Sequence, residues 1–195
     1  MSARESVATR RPIVSVIGDA RLDGRDDVAA TATELGHALV DAGFRVVTGG
    51  LGGVMAAVCR GARRSSAWTD GDTIGVVPSY DASTANEWCD IVIPTGLQLA
   101  RNVLVVATGS VVVALGGGSG TLSEIALAWQ LGRPVVTLGE AGWAGRLGGE
   151  ALDHRSTSAI RRASSVSEAI IACRELSGAA EGGRDIASGW REPKG

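Results

Sequence analysis

The sequence predicts an α/β protein built as a doubly wound parallel sheet flanked by helices, and three observations carry that reading. Short runs rich in Val and Ile alternate with Ala- and Leu-rich stretches of helical length. The runs are apolar throughout instead of alternating in polarity, which implies strands covered on both faces and hence a mostly parallel sheet between helical layers. Each run also ends in Gly or Pro, residues that stop a strand and open a turn.

In chain order, PIVSVIG (Pro12 to Gly18) reads as the first strand and Asp27 to Phe44 as a helix, with Ala30, Leu35, Ala38 and Leu39 among its apolar positions. Gly43 ends that helix, and RVVTGG (Arg45 to Gly50) follows as the second strand. A helix over Gly53 to Ala62 precedes strands at Thr73 to Pro78 and Asp90 to Pro94. Gly96 to Thr108 is expected to form a helix, Ser110 to Gly116 the fifth strand, Thr121 to Gly132 a helix and Pro134 to Gly139 the sixth strand. Ser165 to Leu176 is the last helix, and its Ser165-x-x-Glu168 start has the form of a capping box. Two segments stand outside this alternation, polar Ser79 to Trp88 and Gly-rich Glu140 to Ser158, and both are expected as loops.

At 195 residues and 45% hydrophobic, the chain has enough apolar surface for one domain with a full core. That domain is expected to span residues 12–177, with a flexible stretch at 1–11 and a disordered Gly- and charge-rich tail at 178–195. Lys+Arg 19 against Asp+Glu 21 leaves a net charge of −2, which gives no field to draw nucleic acid or anionic lipid, so neither is expected as a partner. Cys59, Cys89 and Cys173 are far apart and form no Cys-x-x-Cys pair, so reduced thiols and no metal site are expected. The start MSARESVATRR has no apolar segment of a secretory signal, and Val103 to Leu115 is interrupted by Thr108, Gly109 and Ser110 and is too short to span a bilayer. A cytoplasmic location is the expectation.

Two turns after strands are almost bare of side chains: TGGLGGVM (Thr48 to Met55) and GGGSGT (Gly116 to Thr121). In an open parallel sheet, the carboxyl ends of the strands and the helix starts beyond them form the ligand crevice. Glycine lets backbone amides come within hydrogen-bonding distance of a ligand, and amides at a helix start carry partial positive charge suited to phosphate. Candidate ligand-binding residues are therefore Gly49, Gly50, Gly52 and Gly53 in the first turn and Gly117, Gly118, Ser119, Gly120 and Thr121 in the second, for a phosphorylated small molecule. Neither turn has the G-x-G-x-x-G spacing or the lysine of a P-loop, which disfavours a plain dehydrogenase or P-loop ATPase.

Glu124 reads in two ways: with Thr121 as N-cap it completes a capping box, or it is a carboxylate one turn above a phosphate loop, placed to orient a sugar hydroxyl or activate water. Arg101 and Asn102 sit in an otherwise apolar helix, where a buried arginine would need an anion and a solvent-facing one would not. Asp19 and Asp26 are either ligand-facing or turn residues. Glu34 and His37 are expected on the exposed face of the first helix and His154 in solvent. Trp88 and Trp129 fall near the expected ligand loops, with core packing the alternative for Trp129.

Together the glycine turns and Arg101 resemble the LOG superfamily, whose pattern pairs a GGGxxGLM-type turn with PGGxGTxxE; here they read GGLGGVM and GGGSGTLSE. Within it, TGLQLARN (Thr95 to Asn102) and LGGGSGTLSEIALAWQLGRPVV (Leu115 to Val136) look closest to the molybdenum-cofactor carrier branch. The resemblance covers roughly Ile13 to Leu176. It implies a Rossmann-like fold, a homodimer or higher homo-oligomer, and a ligand phosphate at the second glycine turn. The phosphate-binding part of the pattern falls on Gly118 to Thr121, and its catalytic arginine and glutamate fall on Arg101 and Glu124. Where the pattern has proline this chain has Gly116, where it has the first of two glutamates it has Ser123, and GLQLA precedes Arg101 in place of a Met-His pair. The resemblance thus implies a binding or carrier protein for a nucleotide or molybdopterin-type ligand. The alternative is a phosphoribohydrolase that cleaves nucleoside 5′-monophosphates to free base and ribose 5-phosphate, and a nucleotide sensor is a third reading.

Overall fold

The computed structural model describes residues 10–154 and 159–178. Among these, seven strands form one sheet: β1 (Ile13–Gly18), β2 (Arg45–Thr48), β3 (Thr73–Val77), β4 (Ile91–Pro94), β5 (Val111–Leu115), β6 (Val135–Leu138) and β7 (Arg161–Ala163). Helices α1 (Asp26–Asp41), α2 (Val54–Ala62), α3 (Asn102–Thr108), α4 (Ser119–Gln130), α5 (Gly142–Leu147) and α6 (Val166–Ser177) flank it. The strand order is β4-β3-β2-β1-β5-β6-β7, and every pairing is parallel. The chain steps outward from β1 to β4, then returns to the other side of β1 with β5 and steps outward again. This is a Rossmann-like α/β fold, and its direction reverses between β1 and β5, where such sheets open a crevice at their carboxyl ends.

Period-two alternation along apolar strands feeds both layers at once. Val14, Val16 and Val46 pack with Leu35, Val58 and Ile170 on the side of α1, α2 and α6. Ile17 and Val47 pack with Val105, Ile125 and Ala144 on the side of α3, α4 and α5. Val14, Val16, Val46 and Val47 are completely buried, each contributing about 1.5–3 kcal/mol relative to an exposed side chain. Ser15 is the polar exception on β1; its hydroxyl donates to the Val105 carbonyl at 2.6 Å and accepts the Gly109 amide at 3.0 Å, which fastens α3 to the sheet.

Several expected elements take a different form. The first helix begins at Asp26 and stops at Asp41, three residues before Phe44. The stretch Gly96 to Thr108 is not one helix: a short 3-10 turn at Gln98–Arg101 hands over to α3 at Asn102. Gln98 sits at φ 50°, a left-handed conformation that turns the chain into this segment. Gly142–Leu147 folds as α5 inside what the glycine content marks as loop, and β7 forms from arginine-rich sequence with no strand signal. β4 is apolar yet leaves Ile91 and Ile93 each 45% exposed, because it is the sheet's edge and one side lacks a covering strand. Ser165 does cap α6, accepting the Glu168 amide at 3.2 Å, but Glu168 reaches back to the amide and hydroxyl of Ser164 instead of Ser165. Arg11, at the end of the stretch expected to be flexible, pairs with buried Asp72 at 2.6 Å. The expected tail from 179 on and most of the N-terminal stretch lie outside the described residues.

Candidate functional site

The carboxyl ends of β1, β2 and β5 converge on a cavity of ≈ 720 Å³. Its floor is Val16 to Asp19 of β1 and the turn beyond it. One wall carries Gly118 to Thr121 and Glu124 of α4; the opposite wall carries Gly49, Leu51 and Met55, with Leu99, Arg101 and Asn102 closing it. The turn after β1 contributes Arg21, Asp23 and Arg25 at the rim.

The second glycine turn starts α4 two residues earlier than its sequence suggests. The helix begins at Ser119 with Gly118 as N-cap, and no side chain caps it. Thr121 is therefore not the N-cap: it is the third helical residue, 4% exposed, and the Thr121-x-x-Glu124 capping box does not form. The cause is Gly118, whose extended backbone serves as the cap and rotates Glu124 onto the inner face of the helix. Among the described residues the amides of Ser119, Gly120 and Thr121 have no protein acceptor, leaving three donors and the positive end of a 12-residue helix directed at the cavity. A side chain at Gly118 would meet nothing within 4 Å, so the space over the turn is open.

Gly116 and Gly117 do a different job. Their carbonyls accept the Ala144 and Trp143 amides at 2.9 and 3.0 Å, so the start of α5 holds the turn from behind. The Gly117 amide donates to Asp19 Oδ2 at 2.9 Å, and the same oxygen accepts from Arg25 at 3.2 Å. Asp19 thus faces the site and is already committed to Gly117 and Arg25. Asp26 is in the first turn of α1 and does not line the cavity.

Arg101 is buried, 7% exposed, not solvent-facing as the commoner arrangement would have it. Gly49 makes this possible, because any side chain there would collide with the guanidinium. Among the described residues Arg101 has no hydrogen-bond or ion-pair partner, and its Nε is buried without an acceptor. Burial draws its pKa downward while Glu124 opposes that shift. Glu124 is also 7% exposed, and burial raises its carboxyl to about 7 despite the favourable charge of Arg101. At neutral pH Glu124 is thus poised between acid and carboxylate, and Arg101 is a buried cation with unfilled donors.

Of the remaining expected site residues, Asn102 lines the cavity; Gly50, Gly52 and Gly53 do not. Gly50 packs against Gly75 and Val77, and Gly53 caps α2 against the backbone of Asp19 and Ala20, so they shape the wall from outside. Trp129 is a core residue whose indole donates to Asp153 at 2.8 Å; neither it nor Trp88 borders the cavity. Glu34 and His154 are exposed, and half-buried His37 pairs with Asp41 at 3.0 Å. Sequence reasoning missed Arg21, Asp23 and Arg25; their place just after a central strand was the available signal. Among the described residues no cluster of three His, Cys, Asp or Glu side chains suits a metal, and no helix is long and apolar enough to cross a membrane.

Comparison with known proteins bears on the family and the fold. The family model described as the SLOG cluster4 family matches residues 11–170. An uncharacterized protein of Archaeoglobus fulgidus is 34% identical over 125 residues, covering 64% of this chain and 78% of that one. Among solved structures, the molybdenum cofactor binding protein of Rippkaea orientalis aligns at TM-score 0.74 and 32% identity over 87% of this chain and 99% of its own. The molybdenum cofactor carrier protein of Chlamydomonas reinhardtii aligns at TM-score 0.72 and 34% identity over 85% and 98%.

Proposed function

The chain belongs to the SLOG cluster4 family, and from that premise we propose that it is a carrier-type binding protein for a phosphorylated nucleotide-like or pterin-like molecule held in the β1–β5 crevice. The observation that carries this reading is the pairing of Arg101, buried without a partner, with the open amides of Ser119 to Thr121 across the same cavity. A buried cation and a row of unfilled donors are costly unless an anion completes them. The ligand phosphate sits on the α4 amides, and its ring system extends along Leu51, Met55 and Leu99. The likeness to molybdenum cofactor carrier and binding proteins supports a molybdopterin-type ligand as cargo.

One observation favours a second reading. Glu124, buried and poised at about 7, has the ionisation of a general acid or base at neutral pH. In a phosphoribohydrolase its carboxylate would stabilise positive charge at the ribose C1′ or take a proton from the attacking water, while the base departs protonated and Arg101 holds the substrate. Incubation with a panel of nucleoside 5′-monophosphates separates the two. The carrier reading expects no free base, together with a phosphorylated ligand retained by the purified protein in native mass spectrometry. Base release that disappears in Glu124→Gln would replace it with the hydrolase.

The protein is also proposed to act as a homo-oligomer in the cytoplasm. The support for self-association is an apolar surface made by the unpaired edge of β4 and the neighbouring turn and helix. There Ile91, Ile93, Leu97, Val103 and Leu104 are 41–49% exposed and Leu99 is 83% exposed. Leu99 belongs to both this surface and the cavity lining, so a second copy would stand close to the ligand.

A further inference from the structure

Cys59 and Cys89 lie outside the cavity, behind the β2–α2 turn that lines it. Cys59, on α2, is completely buried, and its sulfur is 3.8 Å from the Thr48 hydroxyl at the end of β2. Cys89, just before β4, is half-buried, and its sulfur rests on Gly75 of β3, where even a β-carbon would come within 2.7 Å of it. Thr48 and Gly75 are register partners in adjacent parallel strands, so their side-chain positions point to the same face of the sheet. Neighbouring strands are about 4.8 Å apart, so the two sulfurs rest on adjacent positions of one sheet face, and the thiols interact with each other. A disulfide needs β-carbons about 3.5–4.5 Å apart, and the movement that closes the bond falls to Cys89, which lies outside any helix or strand, and not to Cys59 in α2.

The two thiols also divide the chemistry between them. Interaction with Cys89, then burial, raises Cys59 well above the ordinary thiol range, so it stays protonated. Interaction with Cys59 lowers Cys89, helped by Asn86 and Arg63 and opposed by burial and Asp90. The more accessible sulfur is therefore the better nucleophile, with a resolving thiol beside it. Cys173, the third cysteine, is buried in α6 with its thiol pushed up to about 12, which leaves it inert.

We propose that Cys59 and Cys89 form an oxidisable dithiol that a hydroperoxide converts to an intramolecular disulfide. The Cys89 thiolate attacks the terminal peroxide oxygen, the O–O bond breaks, and Cys89 becomes a sulfenic acid as the alcohol or water leaves with a proton. The Cys59 sulfur then displaces the hydroxyl, which departs as water with the Cys59 proton. Two thiols are oxidised and one peroxide is reduced. The new bond clamps α2 to the segment before β4. That segment already holds the turn through Asn86, whose amide donates to the Gly50 carbonyl at 2.8 Å and whose side chain donates to the carbonyls of Gly50 and Leu51 at 3.1 and 2.9 Å. Oxidation therefore stiffens the turn at residues 49–53, of which Gly49 and Leu51 line the cavity.

The test treats the full chain with hydrogen peroxide and counts thiols after unfolding. The expected result is a fall from three thiols to one, a mass lower by two hydrogens, and a mapped Cys59–Cys89 peptide. Slower backbone hydrogen exchange across residues 49–58 is expected to accompany it. Cys173→Ser should still form the bond, Cys89→Ser should not, and Cys59→Ser should stop at a dimedone-reactive Cys89. Three surviving thiols, over-oxidised Cys89 with Cys59 intact, a crosslink between chains, or unchanged exchange in the oxidised protein would each overturn the proposal.

Discussion

Arg101 and Glu124 face one cavity from opposite walls without forming an ion pair, and that separation governs what each can do. Glu124 keeps its proton in the fold up to about pH 7, whereas an ordinary glutamic acid releases it near 4.5. Because the folded pKa is raised, the stabilisation is complete below the unfolded value and is lost as pH rises through the folded one. Wild type should therefore lose stability relative to Glu124→Gln between pH 4.5 and pH 7, by at most about 3 kcal/mol, read from urea midpoints of both proteins across that range. Gly49→Ala tests the other member: its methyl group displaces the far end of the Arg101 side chain, so AMP binding measured by calorimetry should weaken at least about tenfold. Thermal stability should change little, because a flexible side chain can yield. The sequence named both residues but left their orientation open, since a capping box and an inward carboxylate have the same Thr-x-x-Glu spacing. Only the identity of the N-cap, Gly118 and not Thr121, decides between them.

At the scale of elements, α5 and α4 divide the work of the second glycine turn. The first turn of α5 fixes the carbonyls of Gly116 and Gly117, and the start of α4 supplies the open amides. Gly142 opens α5 at φ 61°, and a β-carbon there would press on the Gly116 carbonyl at 2.6 Å, so Gly142→Ala meets unyielding backbone in a left-handed conformation. Its urea midpoint should fall by the equivalent of about 1–3 kcal/mol, with ligand affinity reduced as well. Gly118→Ala is the opposite case: with nothing near the added carbon, stability should hold while affinity for a phosphate ligand drops. Most helices and the six apolar strands were legible from their periodicity and terminating glycines. α5 and β7 were not, because α5 has only six residues and draws its stability from the turn it supports, while β7 pairs with β6 through backbone bonds that say nothing about its arginines.

At the scale of the whole molecule, the exposed edge of β4 makes the assembly testable. Ile93→Lys, at a half-exposed position remote from the core, should lower the mass measured by light scattering towards that of a single 19.8 kDa chain while leaving the fold unchanged by circular dichroism. The parallel sheet and its crevice were readable in advance because they follow from which segments are apolar on both faces; the edge was not, since β4 has the same composition as an interior strand. The placement of β1 between β2 and β5 has a kinetic consequence. Its ladder with β5 joins residues nearly a hundred positions apart, Val14 to Val111 through Gly18 to Leu115, so within the sheet the two halves of the cavity are joined by the pairing of longest sequence separation. Closing so long a loop is slow, and refolding should be limited by this step. A ligand that touches both halves can then recognise only the finished molecule, so it should slow unfolding without hastening the arrival of the native state.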